Sequence, residues 1–289
     1  MLDASTFQDT DLIDLAKENF VNLKIDAESE YGQELFNQFQ GAGYPLIVFL
    51  DQNGLEVDRF YGYLPAYEFI MKMENVISGE NTFTYYLDEY NKNNHSAEIL
   101  KPLADKYKNK GNNDIALDLY KQLIASSNIS KEDYKVAEYN IASLSLKNDQ
   151  TDYMITYLKN NQGESNFEHG VYDLINYYKS NQMEAEELET YTKYLLLLNQ
   201  SHIFLNSYAW RMSELGKNLD DALNKADMAL ILMEKDHQGY ANILDTKAEV
   251  LWKLGRTEEA ISIIEEALSI DSDSEYYKTQ KEKFLNSLQ

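Results

Sequence analysis

Side chains that commonly carry out covalent chemistry are few in this sequence. The 289 residues include no cysteine, which excludes disulfides, thiolate metal sites and cysteine nucleophiles within the chain. No Gly-x-Ser-x-Gly motif marks a nucleophilic serine. The four histidines lie far apart, and none has a metal-ligand spacing such as His-Glu-x-x-His. These are His95, His169, His202 and His237. The sequence therefore predicts no catalytic residue and no metal site.

Two short motifs resemble ligand-binding loops but lack essential parts. Gly41-x-Gly43 precedes a predicted strand, whereas a dinucleotide-binding fingerprint follows a strand and includes a third glycine. The stretch "DSDSE" at 271–275 begins like a calcium loop but lacks the glycine at its sixth position and the terminal bidentate glutamate. We therefore expect no nucleotide, no calcium ion and no other cofactor.

The charge of the chain disfavours several classes of partner. The formal net charge is −23, and residues 1–80 hold 15 acidic against 4 basic side chains. A polyanion is repelled by such a surface, so nucleic acids and anionic membranes are poor partners. No run of 18 apolar residues occurs, and membrane insertion is therefore not expected.

Residues 1–80 alternate between helix and strand signals. Alternating apolar residues predict strands, and apolar residues at helical spacing predict helices between them. The pattern indicates helices at 9–19, 29–40 and 66–79 and strands at 20–26, 45–50 and 55–63. We expect strands 20–26 and 45–50 to pair in parallel through a helical crossover, with Asn53-Gly54 turning the chain into the antiparallel third strand.

Three motifs in this region resemble those of a thioredoxin-like domain. They are Gly-x-Gly-Tyr-Pro before a strand (41–45), Asp-x-Asn-Gly at a hairpin (51–54) and Gly-Tyr-Leu-Pro before the last helix (62–65). The resemblance implies a cis peptide bond between Tyr44 and Pro45. It also implies that the loop formed by Gly43, Tyr44 and Pro45 offers its backbone to an extended peptide.

The redox motif of that family is missing. Active members carry Cys-x-x-Cys at the start of their first helix, and "MLDASTF" at 1–7 is similar to the segment that follows this motif. Two interpretations stay open: a fragment whose first strand and Cys-x-x-Cys lie upstream of Met1, or a natural domain that lost them. For the fragment, the resemblance implies a parent that is a thiol–disulfide oxidoreductase or folding factor of the bacterial periplasm or cell envelope, with the cytoplasm not excluded.

The remaining residues, 81–289, show helical spacing with a repeated small-residue pattern. Three windows align on Gly111, Gly216 and Gly255. Each has an alanine seven residues before the glycine and another five or six after it, the six being Ala104, Ala116, Ala209, Ala222, Ala248 and Ala260. Such windows resemble the tetratricopeptide repeat, a pair of antiparallel helices, with 241–274 the best match. Residues 131–200 look like degenerate helix pairs, and we expect one continuous right-handed array.

The predicted architecture is therefore α/β plus all-α: an incomplete thioredoxin-like domain at 1–80 followed by a solenoid of tetratricopeptide type at 81–289, with the boundary near 80–95. By analogy with the repeat, its concave groove would be lined by Asn206, Trp210, Asp245, Glu249 and Trp252. The two tryptophans can either anchor a peptide in that groove or pack between helices.

These features favour a non-catalytic module that binds a protein or peptide partner. An oxidoreductase lacking its active turn is the alternative. Because the strand at 20–26 would lack its usual neighbour if the first strand is absent, we also expect an exposed sheet edge that can associate with a second copy.

Overall fold

The computed structural model describes residues 2–235, 237 and 239–288, which fall into a first unit ending at Gly170 and a second unit beginning at Val171. The chain is mostly helical with a small two-stranded sheet, which confirms the predicted fold class. The first unit contains α1 (Thr10–Asn19), α2 (Glu30–Gln38), β1 (Leu46–Leu50), β2 (Glu56–Tyr61), α3 (Ala66–Ser78), α4 (Phe83–Asn91), α5 (Ala97–Asn109), α6 (Asn113–Ala125), α7 (Lys131–Leu146) and α8 (Thr151–Asn160). The division between units falls within α9 (Phe167–Ser180). The second unit continues with α10 (Glu184–Tyr194), α11 (His202–Leu215), α12 (Leu219–Ile231), α13 (Tyr240–Lys253), α14 (Thr257–Ile270) and α15 (Glu275–Asn286).

Polar caps fix where the first helices begin. The Asp9 carboxylate accepts the backbone N–H of Leu12 at 3.0 Å, so α1 begins at the following residue. The Ser29 hydroxyl accepts the N–H of Gly32 at 3.1 Å and starts α2 in the same way. Each cap satisfies one of the amide groups that a helix leaves unpaired at its N-terminus.

The sheet consists of an antiparallel hairpin that packs on α1 and α3. Leu46 lies opposite Tyr61, and the Asp51 carboxylate holds the turn by accepting the N–H groups of Asn53 and Leu55 at 2.8 and 2.9 Å. Apolar side chains of the hairpin and both helices form the core of this region, which includes Leu12, Phe49, Phe60, Phe69 and Met73.

The strand predicted at 20–26 is wrong, and so is its parallel pairing with 45–50. These residues follow α1 and belong to no helix, turn or strand, and within the described chain the sheet holds only β1 and β2. A strand needs a neighbour to complete its hydrogen-bond ladder, and among the described residues none pairs with this segment.

Buried ion pairs join the hairpin to α5. The Lys106 ammonium lies 2.6 and 2.7 Å from the two oxygens of Asp58, and Lys110 lies 2.7 Å from Glu56. Glu56 also pairs with Arg59 at 2.5 Å. Burial alone would raise the pKa of Glu56, but hydrogen bonds from Arg59 and Lys110 outweigh it and hold that pKa below its ordinary value. The α/β region and the first helices therefore share one packed interior.

The repeated small-residue pattern has the structural role that the sequence indicates. The three glycines follow the first helix of each pair with φ of 77° at Gly111, 64° at Gly216 and 78° at Gly255, a left-handed conformation that suits glycine. All six alanines are completely buried, which lets the paired helices approach closely. The six are Ala104, Ala116, Ala209, Ala222, Ala248 and Ala260.

Candidate functional site

The loop before β1 lies at the surface, where Tyr44 and Pro45 are exposed and Gly43 is partly exposed. The Tyr44–Pro45 peptide bond is cis, and the Pro45 carbonyl accepts the N–H of Gly62 at 2.9 Å, which ties the loop to the end of β2. The Tyr44 ring is exposed and lies 4.5 Å, between ring centroids, from Phe36 of α2. Among the described residues, no backbone hydrogen bond uses the N–H or C=O of Tyr44.

A second candidate surface lies along one side of α11. Ile203, Asn206 and Trp210 follow one another at spacings of three and four residues, which places them on one helix face. Ile203 is 59% exposed, and Asn206 and Trp210 are both partly exposed. We call these three residues the α11 stripe. It combines an aliphatic side chain, an amide and an indole, and these are groups that commonly contact a peptide.

The amide of the stripe has an unused hydrogen-bond acceptor. The Oδ1 atom of Asn206 is enclosed, and no described residue donates a hydrogen bond to it. Buried polar atoms are normally paired, because an unpaired one costs about 1–3 kcal/mol.

A buried ion pair fixes the helix that carries the stripe. Arg211 of α11 donates to both oxygens of Glu187 on α10, at 2.7 and 2.8 Å, and Glu187 is fully buried. These hydrogen bonds, together with a further one to Glu214, raise the pKa of Arg211 above its ordinary value. Because Arg211 directly follows Trp210, the pair ties this part of α11 to α10.

The predicted groove positions on α13 are covered by α15. The Tyr276 hydroxyl donates to Oδ2 of Asp245 at 3.1 Å, and Lys283 lies 2.5 Å from Glu249. Asp245 is 5% exposed and Glu249 is 6% exposed. Both carboxylates therefore serve the contact between two helices of the same chain.

Trp252 is also engaged by α15 and the residue after it. Its indole N–H donates to the Ser287 hydroxyl at 2.9 Å, and its ring lies 5.8 Å from that of Phe284. The Lys283 ammonium lies 4.3 Å from the indole centroid. These contacts correspond to the packing role that the sequence left open for this tryptophan.

The five residues predicted for the groove thus fall into two groups. Asn206 and Trp210 share an accessible face of α11, whereas Asp245, Glu249 and Trp252 contact α15. Sequence reasoning missed Ile203, which helical spacing from Trp210 could have revealed. It also missed that α15 packs on α13, although the tyrosine doublet at 276–277 marks a helix with an aromatic face.

Burial makes Asp245 sensitive to pH. Loss of water raises the pKa of Asp245 to about 6, although the Tyr276 hydroxyl partly opposes the shift. The folded protein therefore holds the Asp245 proton more tightly than the unfolded chain, whose aspartate pKa is about 3.9. The stability gained from this difference is fully present below pH 3.9 and is lost as the pH rises through 6.

As the pH falls from 7.5 to 5, we expect the free energy of unfolding of the natural chain to rise by about 1.4 kcal/mol more than that of Asp245→Asn. Both tryptophans of the chain lie in the second unit, so urea titrations followed by tryptophan fluorescence report on it directly. Substitution of the exposed Asp273 by asparagine serves as the control and should not change the pH dependence. If Asp245→Asn and the natural chain respond equally to pH, this account of Asp245 is wrong.

Across residues 2–235, 237 and 239–288, no group of three His, Cys, Asp or Glu side chains is arranged to hold a metal ion. No helix in the same part of the chain is long and apolar enough to span a bilayer.

Comparison with known proteins identifies both ends of the chain. Residues 1–77 match the family model for a thioredoxin-like domain, and residues 241–274 match that for a tetratricopeptide repeat. No curated protein matches the sequence.

Several solved structures are similar to this chain at low identity. YrrB, described as a TPR protein with an unusual peptide-binding site, is 14% identical with a TM-score of 0.48, covering 68% of this chain and 97% of YrrB. The MamA protein is 14% identical with a TM-score of 0.46, covering 61% of this chain and 92% of its own. The apo form of the quorum sensor NprR from B. thuringiensis is 16% identical with a TM-score of 0.43, and the match covers 95% of this chain and 77% of NprR.

The two segments that match family models show that the chain carries a thioredoxin-like domain at its N-terminus and a tetratricopeptide repeat near its C-terminus.

Proposed function

We propose that this chain is a non-catalytic scaffold that binds a protein or peptide partner through the α11 stripe. Tetratricopeptide repeats stack into arrays whose surfaces bind other proteins, and the repeat at 241–274 suggests such a role. The observation that carries the proposal is that Trp210 and Asn206, both partly exposed, lie one turn apart next to the exposed Ile203, and that the Oδ1 atom of Asn206 accepts no hydrogen bond from the described residues.

The chemistry of the stripe limits the partner. Trp210 and Ile203 offer apolar surface to an aliphatic or aromatic side chain, and Asn206 can exchange hydrogen bonds with a peptide backbone. The net charge of −23 disfavours a strongly acidic partner. A neutral or basic peptide with at least one large apolar residue fits these requirements.

Substitution of Trp210 by alanine is expected to weaken peptide binding by about tenfold or more, since aromatic anchors often contribute over 1 kcal/mol to an interface. Peptides would first be selected from a displayed library of random linear sequences on the natural chain. Their dissociation constants for the natural chain and each variant would then be measured by fluorescence anisotropy.

The matched control is Trp252→Ala. Because the Trp252 indole bonds to Ser287 and packs on Phe284, its loss should lower the free energy of unfolding by about 2 kcal/mol and leave the dissociation constant unchanged. Equal affinity for Trp210→Ala and the natural chain would contradict the proposal. So would a loss of stability in Trp210→Ala that accounts for the whole loss of binding.

A further inference from the structure

A cavity opens between α12, α13 and α14, within the second unit. Its volume is about 220 Å³, the space that about seven water molecules occupy in the liquid. Side chains from all three helices line it, together with Arg256 from the turn between α13 and α14. None of the lining residues belongs to the α11 stripe, so the cavity is separate from the surface proposed for the peptide.

The floor of the cavity is apolar. Leu251 of α13 is 2% exposed, and Leu223 of α12 and Ile263 of α14 pack on the same core as Leu251. These side chains offer no hydrogen bond to water, so an apolar group that replaces water over them gains free energy. The floor is therefore suited to an aliphatic side chain.

Four charged side chains, all more exposed than the floor, lie at the mouth of the cavity. The Lys247 ammonium lies 2.7 Å from an Asp227 carboxylate oxygen, with 22% and 48% of the two side chains exposed. Arg256 donates to both oxygens of Glu259, at 2.7 and 2.6 Å. The two pairs are close enough to affect each other: hydrogen bonds from Arg256 lower the pKa of Glu259, and the Lys247 ammonium lowers it further. The mouth thus brings together two cations and two anions whose charges sum to zero.

We propose that this cavity binds a free α-amino acid with an aliphatic side chain. Such a molecule carries a carboxylate and an ammonium group on the same carbon atom. Its carboxylate contacts the cations of Lys247 and Arg256. Its ammonium group contacts the carboxylates of Asp227 and Glu259, and its side chain covers the apolar floor.

The charges at the mouth favour a zwitterion over an ion. A ligand with a single charge is attracted by one half of the four side chains and repelled by the other half. A zwitterion offers an opposite charge to both kinds of side chain. Its own net charge is zero, so the net charge of −23 on the chain does not oppose its approach.

The volume of the cavity limits the size of the amino acid. An engineered apolar cavity of about 150 Å³ in another protein binds benzene, which has six heavy atoms. The same ratio gives about nine heavy atoms for a cavity of about 220 Å³, which is the size of free leucine or isoleucine. Glycine leaves the floor uncovered, and tryptophan exceeds the space.

Saturation-transfer difference NMR on the full chain tests the proposal, with L-leucine as the probe. Small ligands gain a limited free energy per heavy atom, so we expect a dissociation constant of about 1 mM and a titration up to about 20 mM. The comparison ligands are glycine, leucinamide and 4-methylpentanoate, which lack the side chain, the carboxylate and the ammonium group respectively. Each should bind at least about tenfold more weakly than leucine.

Variants of the chain test where leucine binds. Lys247→Met removes one cation from the mouth and should weaken leucine binding about tenfold. Lys281→Met is the matched control, because Lys281 forms a similar partly exposed ion pair with Glu265, at 2.8 Å, but does not line the cavity. Ser262 lines the cavity and is exposed, so Ser262→Leu should fill the space and abolish binding with all four charges retained. Circular dichroism checks that each variant is folded, which is expected because all three substituted side chains are at least partly exposed.

Several results would overturn the proposal: no saturation transfer to leucine at about 20 mM, equal binding of leucinamide or 4-methylpentanoate, equal affinity of Lys247→Met and Lys281→Met, or unchanged affinity of Ser262→Leu. Trp210→Ala should bind leucine like the natural chain, because Trp210 does not line the cavity. Peptides selected on the natural chain should bind Ser262→Leu with unchanged affinity. Failure of this inference is therefore distinguishable from failure of the proposed peptide binding.

Discussion

Replacement of Lys106 by methionine is expected to lower the free energy of unfolding of the first unit by about 3–5 kcal/mol. Asp58 is only 3% exposed, and both of its oxygens lie within 2.7 Å of the Lys106 ammonium. Methionine fills much of the same space but leaves the carboxylate buried and unpaired. Hydrogen exchange of the β2 amides in increasing urea measures the effect locally, at the strand that carries Asp58.

A control on the same helix separates burial from charge. Lys101 of α5 pairs with Asp133 at 3.2 Å, with about a third of each side chain exposed. Lys101→Met should therefore cost less than about 1 kcal/mol. The double variant Lys106→Met/Asp58→Leu should recover most of the stability, because it removes both charges together. A similar cost for Lys101→Met and Lys106→Met would contradict this account.

The second large effect is expected for Arg211→Met in the second unit, again about 3–5 kcal/mol. Glu187 is fully buried, and both of its oxygens accept hydrogen bonds from the Arg211 guanidinium. Arg211→Lys should recover only part of the loss, since an ammonium cannot reproduce the paired donors of a guanidinium. Urea unfolding followed by tryptophan fluorescence gives the measurement.

Arg256 provides the comparison for this prediction. It also donates to both oxygens of a glutamate, Glu259, but each side chain is about half exposed. Arg256→Met should therefore change the free energy of unfolding by less than about 1 kcal/mol. Restored stability in Glu187→Gln/Arg211→Met would support the unpaired charge as the cause. No recovery in that double variant would point to lost packing instead.

Local signals in the sequence predicted most of the fold. The glycines and alanines of the repeat windows are recognisable because helix ends and close helix packing depend on residues near one another in the chain. Pairing between distant segments was harder to predict. The alternation in 20–26 indicates extended backbone, but it contains no information on whether a neighbouring strand exists.

The same difference between local and distant contacts explains why only part of the candidate site could be predicted. Asn206 and Trp210 lie on one face of a single helix, which periodicity alone can indicate. The contacts of Asp245 and Glu249 depend on how α15, a later helix, packs on α13. The sequence of α15 contains no repeat motif from which this packing could be predicted. The ion pairs of Lys106 and Arg211 join residues 48 and 24 positions apart, and among 49 acidic side chains the sequence does not single out either partner.

The charged contacts between β2 and α5 also determine how this polypeptide can be divided for laboratory work. A cut after Gly79 would follow the end of the thioredoxin-like match, but it would remove the two lysines that pair with Asp58 and Glu56. The carboxylates of Asp58 and Glu56, which are buried and paired in the whole chain, would then be exposed to water on β2 without α5 packed against them. Carrying the chain on through Lys110 keeps α4, α5 and both lysines with the hairpin, and carrying it through Ala125 also keeps α6 packed against the buried face of α5.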